Sequence, residues 1–307
     1  MAKAQSFMAK LLKIDIILIV LIFCTGCYGC RTYYSDSSQP QSSQKNDPEE
    51  HCSDCGMRGL RVTTFNLYWY PDKTGDQFLE KSKKRKKELS HFIQEEFKNT
   101  DVFIFQEVTN KDALNEILPE FECYSYSDDS PVHQFVMICH NKKFQWKQMP
   151  PLDISEGKMG MRLVPNGMLV ASGKPVAQIF GVHLAAQRSK VDYRLEQFRK
   201  LLEQIQSQDT GLPVIVAGDF NLTEGQVEVD RFYTLEGNIK LNIKPVENNV
   251  PTFSNLETQG VLDYIWFARI AIASVQVWPS CADKTTHEIY IRKISDHCPL
   301  TANFRFL

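Results

Sequence analysis

The chain lacks the features that mark several specialised classes of protein. Its formal net charge is -2 over 307 residues, and this total says little about partners, because local patches rather than totals attract nucleic acid. It has no internal repeat. With 43% hydrophobic and 23% charged residues, its composition is that of an ordinary globular protein, which excludes collagen, coiled coils and general disorder. Composition therefore bounds the class and leaves the function open.

The chain also lacks a disulfide framework, although it contains nine cysteines. Cys52 and Cys55 form a lone C-x-x-C with no second pair at zinc-like spacing, so we expect no structural zinc there. In an oxidising compartment these two cysteines would form a local disulfide. Four further cysteines lie mostly among apolar residues and are predicted to fill the core: Cys123, Cys139, Cys281 and Cys298.

The first 27 residues have the pattern of an export signal. Three lysines precede a short apolar run at residues 16–23, which is too short to span a bilayer. The sequence Thr-Gly-Cys at residues 25–27 resembles the end of a bacterial lipobox, except that Cys24 stands where a leucine is usual. We predict that Cys27 is acylated and anchors an exported lipoprotein in a membrane, facing the periplasm or the cell surface. A plain secretory signal or a weak membrane anchor is the alternative.

The remaining chain divides into a tether and one domain. Residues 28–57 are rich in Ser, Gln, Asp, Glu and Pro, so we expect a flexible tether. Strand-like runs follow at residues 61–66, 101–105, 176–184, 214–217, 261–267 and 300–306. Apolar residues at helical spacing form two groups: Leu89, Phe92, Ile93 and Phe97, then Leu195, Phe198, Leu201, Leu202 and Ile205. This order predicts a single α+β or mixed α/β domain at residues 58–307.

Polar side chains follow several of these strands, which is where α/β proteins build sites. Each one alone has a structural explanation, such as a turn asparagine or a satisfied core histidine. Asp263 is harder to explain in this way, because a carboxylate inside an apolar strand is costly without a partner. The candidates near strand ends are Asn66, Glu107, His183, Asp219, Asn221, Asp263, Asp296 and His297.

In series, these residues resemble the motifs of the endonuclease/exonuclease/phosphatase superfamily, which includes deoxyribonuclease I-like, exonuclease III-like and neutral sphingomyelinase-like enzymes. The motifs are Thr-Phe-Asn at 64–66, Gln-Glu-Val at 106–108, Gly-Val-His-Leu at 181–184, Gly-Asp-Phe-Asn at 218–221, Leu-Asp-Tyr-Ile at 262–265 and Ser-Asp-His-Cys-Pro at 295–299. The resemblance covers about residues 60–307. It implies a four-layer α/β sandwich of two stacked mixed β-sheets with helices outside.

The resemblance also implies a metal-dependent phosphodiesterase, since cleavage of a phosphodiester needs an activated water and neutralised phosphate charge. Glu107 is the implied principal ligand of Mg²⁺, with Mn²⁺ or Ca²⁺ as alternatives, because oxygen ligands select hard cations. Asn66 corresponds to the family residue beside that ligand and would help to hold the metal or the phosphate, and Asp296 is an additional ligand candidate. Arg162 is a candidate phosphate clamp, because a guanidinium matches phosphate geometry.

The catalytic roles come from the same resemblance. His297 corresponds to the catalytic histidine and Asp263 to the carboxylate that orients it. Asp219 and Asn221 would position the water and the scissile phosphate. His183 corresponds to a second histidine of the deoxyribonuclease I-like and sphingomyelinase-like branches, a phosphate contact or general acid.

The substrate stays open between several classes. A DNase-like nuclease is favoured, and a sphingomyelinase- or phospholipase C-like enzyme, a phosphatase and a catalytically silent binding module are the alternatives. The basic run at residues 81–87 invites a nucleic-acid contact, but such a run is usually the solvated face of a helix. The aromatic residues at 68–70 could stack on a base, touch a lipid or pack internally. We expect a monomer with DNA or phospholipid as substrate.

Overall fold

A computed structural model describes residues 59–70, 76–126, 134–155, 163–223, 225–239, 241–254, 259–278 and 294–306. All of them belong to one compact unit, Glu49–Leu307. The predicted export signal, the tether, Cys27 and Arg162 lie outside the described residues, as do Cys52 and Cys55.

The described chain is built mainly from strands and four helices. The strands, numbered along the chain, are β1 (Leu60–Tyr70), β2 (Val102–Val108), β3 (Phe121–Tyr124), β4 (Phe135–Asn141), β5 (Gln145–Gln148), β6 (Leu152–Asp153), β7 (Leu163–Val164), β8 (Asn166–Ala171), β9 (Lys174–His183), β10 (Val214–Asp219), β11 (Lys244–Pro245), β12 (Phe253–Ser254), β13 (Gln259–Gly260), β14 (Asp263–Ala268), β15 (Ala271–Val277) and β16 (Leu300–Arg305). The helices are α1 (Asp76–Glu96), α2 (Lys111–Ile117), α3 (Val191–Ser207) and α4 (Gln226–Ile239).

Twelve of these strands form two six-stranded mixed sheets. The first has the order β15–β16–β1–β2–β4–β3, and the second has the order β11–β14–β10–β9–β8–β5. In the first sheet β1 and β2 are parallel, and in the second β9 and β10 are parallel, while their other neighbours run antiparallel.

Alternation along the strands explains why the two sheets stack. Successive side chains of a strand point to opposite faces, so every second residue can serve a different core. In β2, Val102 and Ile104 join the cluster between the sheets, whereas Phe103 and Phe105 face the other side. In β10, the buried central residues alternate in the same way. The central strands of both sheets therefore bury both faces.

Helices cover the two outer faces. Leu89, Ile93 and Phe97 of the α1 segment pack with the outer face of the first sheet, as their spacing predicts. The helix α3 residues Phe198 and Leu202 pack with the outer face of the second sheet. The order is therefore helix, sheet, sheet, helix, and the predicted four-layer sandwich is confirmed. None of the described helices is long and apolar enough to cross a membrane.

The prediction for the core cysteines needs a correction. Cys123 of β3 and Cys139 of β4 face each other in the antiparallel ladder and form a disulfide. Cys298 is also disulfide-bonded. Burial of Cys139 in an apolar cluster agreed with the expectation of a core filler, but an apolar neighbourhood does not show whether a second thiol lies opposite.

Candidate active site

The predicted residues meet where the ends of neighbouring strands lie together. In the second sheet, Asp219 at the end of β10 pairs with His183 at the end of the parallel strand β9. Asp219 also pairs with Asp263, the first residue of the antiparallel strand β14. In the first sheet, Asn66 is the last residue in register with β2 before the ladder is interrupted, and Glu107 follows in β2. The same edge of both sheets therefore carries the cluster.

The Asn66 side chain joins the two sheets at this edge. Its Nδ2 donates to Glu107 Oε1 at 3.2 Å and to Asp219 Oδ2 at 2.9 Å. Its Oδ1 accepts a hydrogen bond from the Tyr68 backbone N–H at 2.9 Å, which assigns the amide orientation. Asn66 thus turns its nitrogen toward the carboxylates and holds Glu107 next to Asp219. Its role as a direct metal ligand stays a prediction.

Asp263 and His297 form a buried hydrogen-bonded pair. His297 Nδ1 lies 2.8 Å from Asp263 Oδ2, and Asp263 is fully buried. With the carboxylate on Nδ1–H, the other ring nitrogen of neutral His297 is an acceptor. That Nε2 lies 3.8 Å from Asp219 Oδ2 and so faces the cluster. The arrangement keeps one imidazole nitrogen available for proton transfer at the site.

His183 stands on the opposite side of Asp219. Its Nε2 lies 3.7 Å from Asp219 Oδ2 and 3.9 Å from Glu107 Oε1. Asn221 supports the same carboxylate, since its backbone N–H donates to Asp219 Oδ1 at 2.8 Å while its side chain donates to Leu184 O. The cluster therefore holds two imidazoles around one buried carboxylate.

The electrostatic balance of the cluster is negative. Burial raises the pKa of Asp219, and the nearby Asp263 charge adds to the effect, against the lowering influence of His297. Burial also raises the pKa of Asp296. Burial alone would lower the pKa of His297, but the charge and hydrogen bond of Asp263 raise it above its usual value. Burial therefore favours the uncharged form of both carboxyls, and a bound cation would favour their charged form.

These residues fit a divalent cation. Ligand atoms of Asp219, Asp263 and His297 lie within 4.8 Å of one another. Asp263 Oδ1 and Asp296 Oδ1 are buried, and within the described part of the chain neither has a hydrogen-bond donor. An oxygen-rich set suits a hard cation, whose charge would compensate the carboxylates. The group differs from the predicted ligands. Glu107 is connected to it through Asn66 Nδ2, which donates to both Glu107 and Asp219, and His183 Nε2 lies within 4 Å of both carboxylates.

Two site residues hold an uncommon backbone conformation. The φ angles of Glu107 and Asn221 are 57° and 52°, in the left-handed region that residues other than glycine rarely adopt. Glu107 lies near the end of β2 and Asn221 follows β10, where the Asn221 backbone N–H donates to Asp219. Local strain of this kind is common at functional sites.

Several supporting residues were missed by the sequence reasoning. Gln134 Nε2 donates to Glu107 Oε2 at 3.2 Å, and Thr252 Oγ1 accepts the Asp263 backbone N–H at 3.0 Å. Ser295 Oγ donates to Asn66 O at 2.7 Å, so it ties the segment of His297 to β1. Ser295 lies within a recognised motif, whereas no pattern around Gln134 or Thr252 distinguishes them from ordinary polar residues.

Comparison with known proteins gives a consistent result at the level of family and fold. The family model described as Endonuclease/Exonuclease/phosphatase family matches residues 63–297. No curated protein sequence gives a significant match.

Three solved structures with differently named proteins are similar to this chain in fold. An endonuclease/exonuclease/phosphatase from Bacteroides vulgatus aligns with a TM-score of 0.65 at 16% identity, over 82% of this chain and 100% of that one. TDP2 from Caenorhabditis elegans aligns with a TM-score of 0.59 at 17% identity, over 80% and 75% of the two chains. The mannosyl-6-phosphatase Bt3783 of Bacteroides thetaiotaomicron aligns with a TM-score of 0.59 at 18% identity, over 80% and 100%.

Proposed function

The chain belongs to the endonuclease/exonuclease/phosphatase family, and from that premise we propose that it is a divalent-metal-dependent phosphodiesterase. The observation that carries the proposal is the buried Asp263–His297 pair, whose free ring nitrogen faces Asp219. An oriented imidazole beside an acidic, cation-seeking cluster is what hydrolysis of a phosphoester requires. A protein that only binds a partner would have no need to bury this set of charges.

In the proposed reaction Nε2 of His297 accepts a proton from the attacking water. Asp263 accepts a hydrogen bond from Nδ1–H of His297 and so keeps the other proton of the imidazole on Nδ1. Asp219 and Asn221 orient the water and the phosphate. His183 contacts the phosphate or protonates the leaving oxygen. We propose that Glu107, with Asp219 or Asp296, would hold a divalent cation such as Mg²⁺, whose charge would neutralise the phosphate.

We further propose that the phosphodiester is a nucleic acid, with DNA as the first candidate. Two features support this. The ring of Tyr68, two residues after Asn66, is 52% exposed, and an exposed aromatic ring next to a catalytic site can stack on a base. Lys83, Lys84 and Lys87 of α1 are exposed and can attract a phosphate backbone.

The deciding experiment offers the purified protein three substrates in parallel with Mg²⁺: supercoiled plasmid DNA, sphingomyelin vesicles and 4-nitrophenyl phosphate. We expect plasmid nicking that His297→Ala loses and that His91→Ala, a change at an exposed histidine of α1, retains. Phosphocholine release would make the protein a lipid hydrolase. Release of 4-nitrophenol alone would make it a phosphatase. Inactivity on all three substrates would favour the binding-module alternative and contradict the proposal.

Export is a separate part of the proposal. The Cys123–Cys139 disulfide supports an oxidising compartment, in which such bonds persist. Metabolic labelling with a fatty-acid analogue in a bacterial host tests the anchor. We expect label in the wild-type chain and none in Cys27→Ser, and label retained by Cys27→Ser would exclude Cys27 as the attachment residue.

A further inference from the structure

Arg85 behaves differently from the basic residues around it on α1. Lys84 and Lys87 are exposed, as expected for the solvated face of a helix. Arg85 is partly buried, and its guanidinium carbon lies 5.6 Å from the centre of the buried Tyr70 ring. A cation at this distance from an aromatic face is held in place by it. Arg85 is therefore directed into the protein and away from a substrate in solution.

The guanidinium of Arg85 joins two separate chain segments. Its Nε donates to the backbone oxygen of Ile294 at 2.8 Å, and its Nη2 donates to the backbone oxygen of Leu67. Leu67 follows Asn66 in β1, and Ile294 lies three residues before His297. One side chain thus connects the strand of the amide that bridges the carboxylates to the segment of the catalytic imidazole.

Ser295 makes a second connection between the same segments. Its hydroxyl donates to Asn66 O at 2.7 Å and accepts the His297 backbone N–H at 3.1 Å. Both connections lie within the three residues that precede His297, the residue that contacts Asp263. A guanidinium carries its donors in a fixed plane and can serve two carbonyls at once, whereas an ammonium group is a single flexible point of charge.

We propose that Arg85 is a positioning residue, which holds the segment of His297 against the end of β1 and so fixes the distance between the imidazole and the carboxylate cluster. Its effect on turnover rests on the proposed function. Its effect on the position of the segment does not, because that is a property of the folded chain alone.

The kinetic test compares Arg85→Ala and Arg85→Lys with His91→Ala, a change at an exposed histidine of the same helix, using bis(4-nitrophenyl) phosphate with Mg²⁺. Misplacement of a catalytic group by about 1 Å can cost on the order of 100-fold in kcat, and we expect a loss of this order with KM little changed. Arg85→Lys should lose nearly as much, since lysine cannot hold both carbonyls. His91→Ala should match the wild type.

Three kinetic outcomes would overturn the proposal: an unchanged kcat in folded Arg85→Ala, a loss confined to KM, which would make Arg85 a substrate contact, or full activity in Arg85→Lys. If Arg85→Ala does not fold, Arg85→Lys carries the test.

Hydrogen–deuterium exchange provides a reading that needs no substrate. We expect faster exchange in Arg85→Lys for peptides covering residues 294–298 and 66–70, and unchanged exchange in strands β8 and β9. Unchanged exchange at residues 294–298, or an equal increase throughout both sheets, would refute a positioning role. If the wild-type protein cleaves no phosphodiester, the proposed function fails, while the exchange measurement still decides what Arg85 does.

Discussion

Replacing Asp263 with asparagine perturbs the site at the contact on which the proposed chemistry depends most. Asp263 Oδ2 lies 2.8 Å from His297 Nδ1, and the carboxylate is fully buried. Asparagine has nearly the same shape, so the variant removes the charge without leaving a cavity. The side chain can then present either its oxygen or its nitrogen to the imidazole.

The two orientations set the limits of the expected effect. If the amide oxygen faces Nδ1–H, the tautomer is kept and a charge-assisted hydrogen bond becomes a neutral one, which costs roughly 1–2 kcal/mol or about tenfold in rate. If the amide nitrogen faces Nδ1, the imidazole proton must move to Nε2, and the nitrogen that faces the site can no longer accept a proton. That loss amounts to about 10²–10⁴-fold. We expect kcat to fall within this second range.

The pH dependence of the cleavage rate gives a second test of Asp263→Asn, and the direction of its shift can be predicted. The charge of Asp263 raises the pKa of His297, so its removal should lower that pKa. If His297 acts as a neutral base, the acid limb of the rate profile reports its protonation and should move to lower pH in Asp263→Asn, with a lower plateau.

The assay is the rate of phosphodiester cleavage at saturating Mg²⁺ from pH 5 upward, about 1.5 units below the ordinary histidine pKa. Circular dichroism checks the fold, and Asp230→Asn, a change at an exposed aspartate of α4, is the control. A folded Asp263→Asn protein with wild-type kcat and an unmoved acid limb would refute the reasoning.

Three further predictions concern stability and metal. Arg194 and Glu228 are both fully buried, and Arg194 Nε lies 2.6 Å from Glu228 Oε1. Arg194→Met should leave the Glu228 charge buried without its partner and lower the free energy of unfolding by about 3–5 kcal/mol in chemical denaturation, and Arg194→Met/Glu228→Gln should recover part of this loss. An unchanged denaturation midpoint in Arg194→Met would contradict this. Gly218 has a φ of 154°, and a Cβ there would lie 1.9 Å from Val182 O, so Gly218→Ala should lower both stability and activity. Gly237→Ala, with nothing within 4 Å, should be neutral or stabilising by up to about 1 kcal/mol, and equal behaviour of the two variants would refute the steric argument. EDTA should abolish cleavage and Mg²⁺ should restore it, whereas cleavage that resists the chelator would remove the metal from the mechanism.

Much of this architecture could be predicted from local patterns. The apolar residues of α3 have helical spacing, and the runs that form β9 and β10 are rich in β-branched and aromatic residues. Asp219 and His183 follow such runs, and the carboxyl ends of parallel neighbours meet at one edge of a sheet. Their proximity therefore follows from chain-local signals combined with a simple rule of sheet geometry.

The remaining features depend on contacts between segments far apart in the chain. Gln134, the residue before β4, donates a hydrogen bond to Glu107, and nothing in the sequence around Gln134 indicates that role. The disulfide of Cys123 requires that Cys139 lie directly opposite in an antiparallel ladder, which sequence spacing alone does not reveal. The composition of residues 81–87 predicts the solvated face of a helix. Lys84 is exposed as expected, whereas Arg85 donates to backbone carbonyls of two other segments.

The left-handed backbone at Glu107 and Asn221 has a consequence for any attempt to evolve this protein. A non-glycine residue in this conformation costs on the order of 1 kcal/mol or more, and glycine would relieve that cost at either position. A library selected only for resistance to heat would thus enrich glycine at both positions, while a library selected for turnover would retain Glu107 and Asn221. The two selections should diverge first at these codons, so the divergence itself would locate the catalytic centre without knowledge of the substrate.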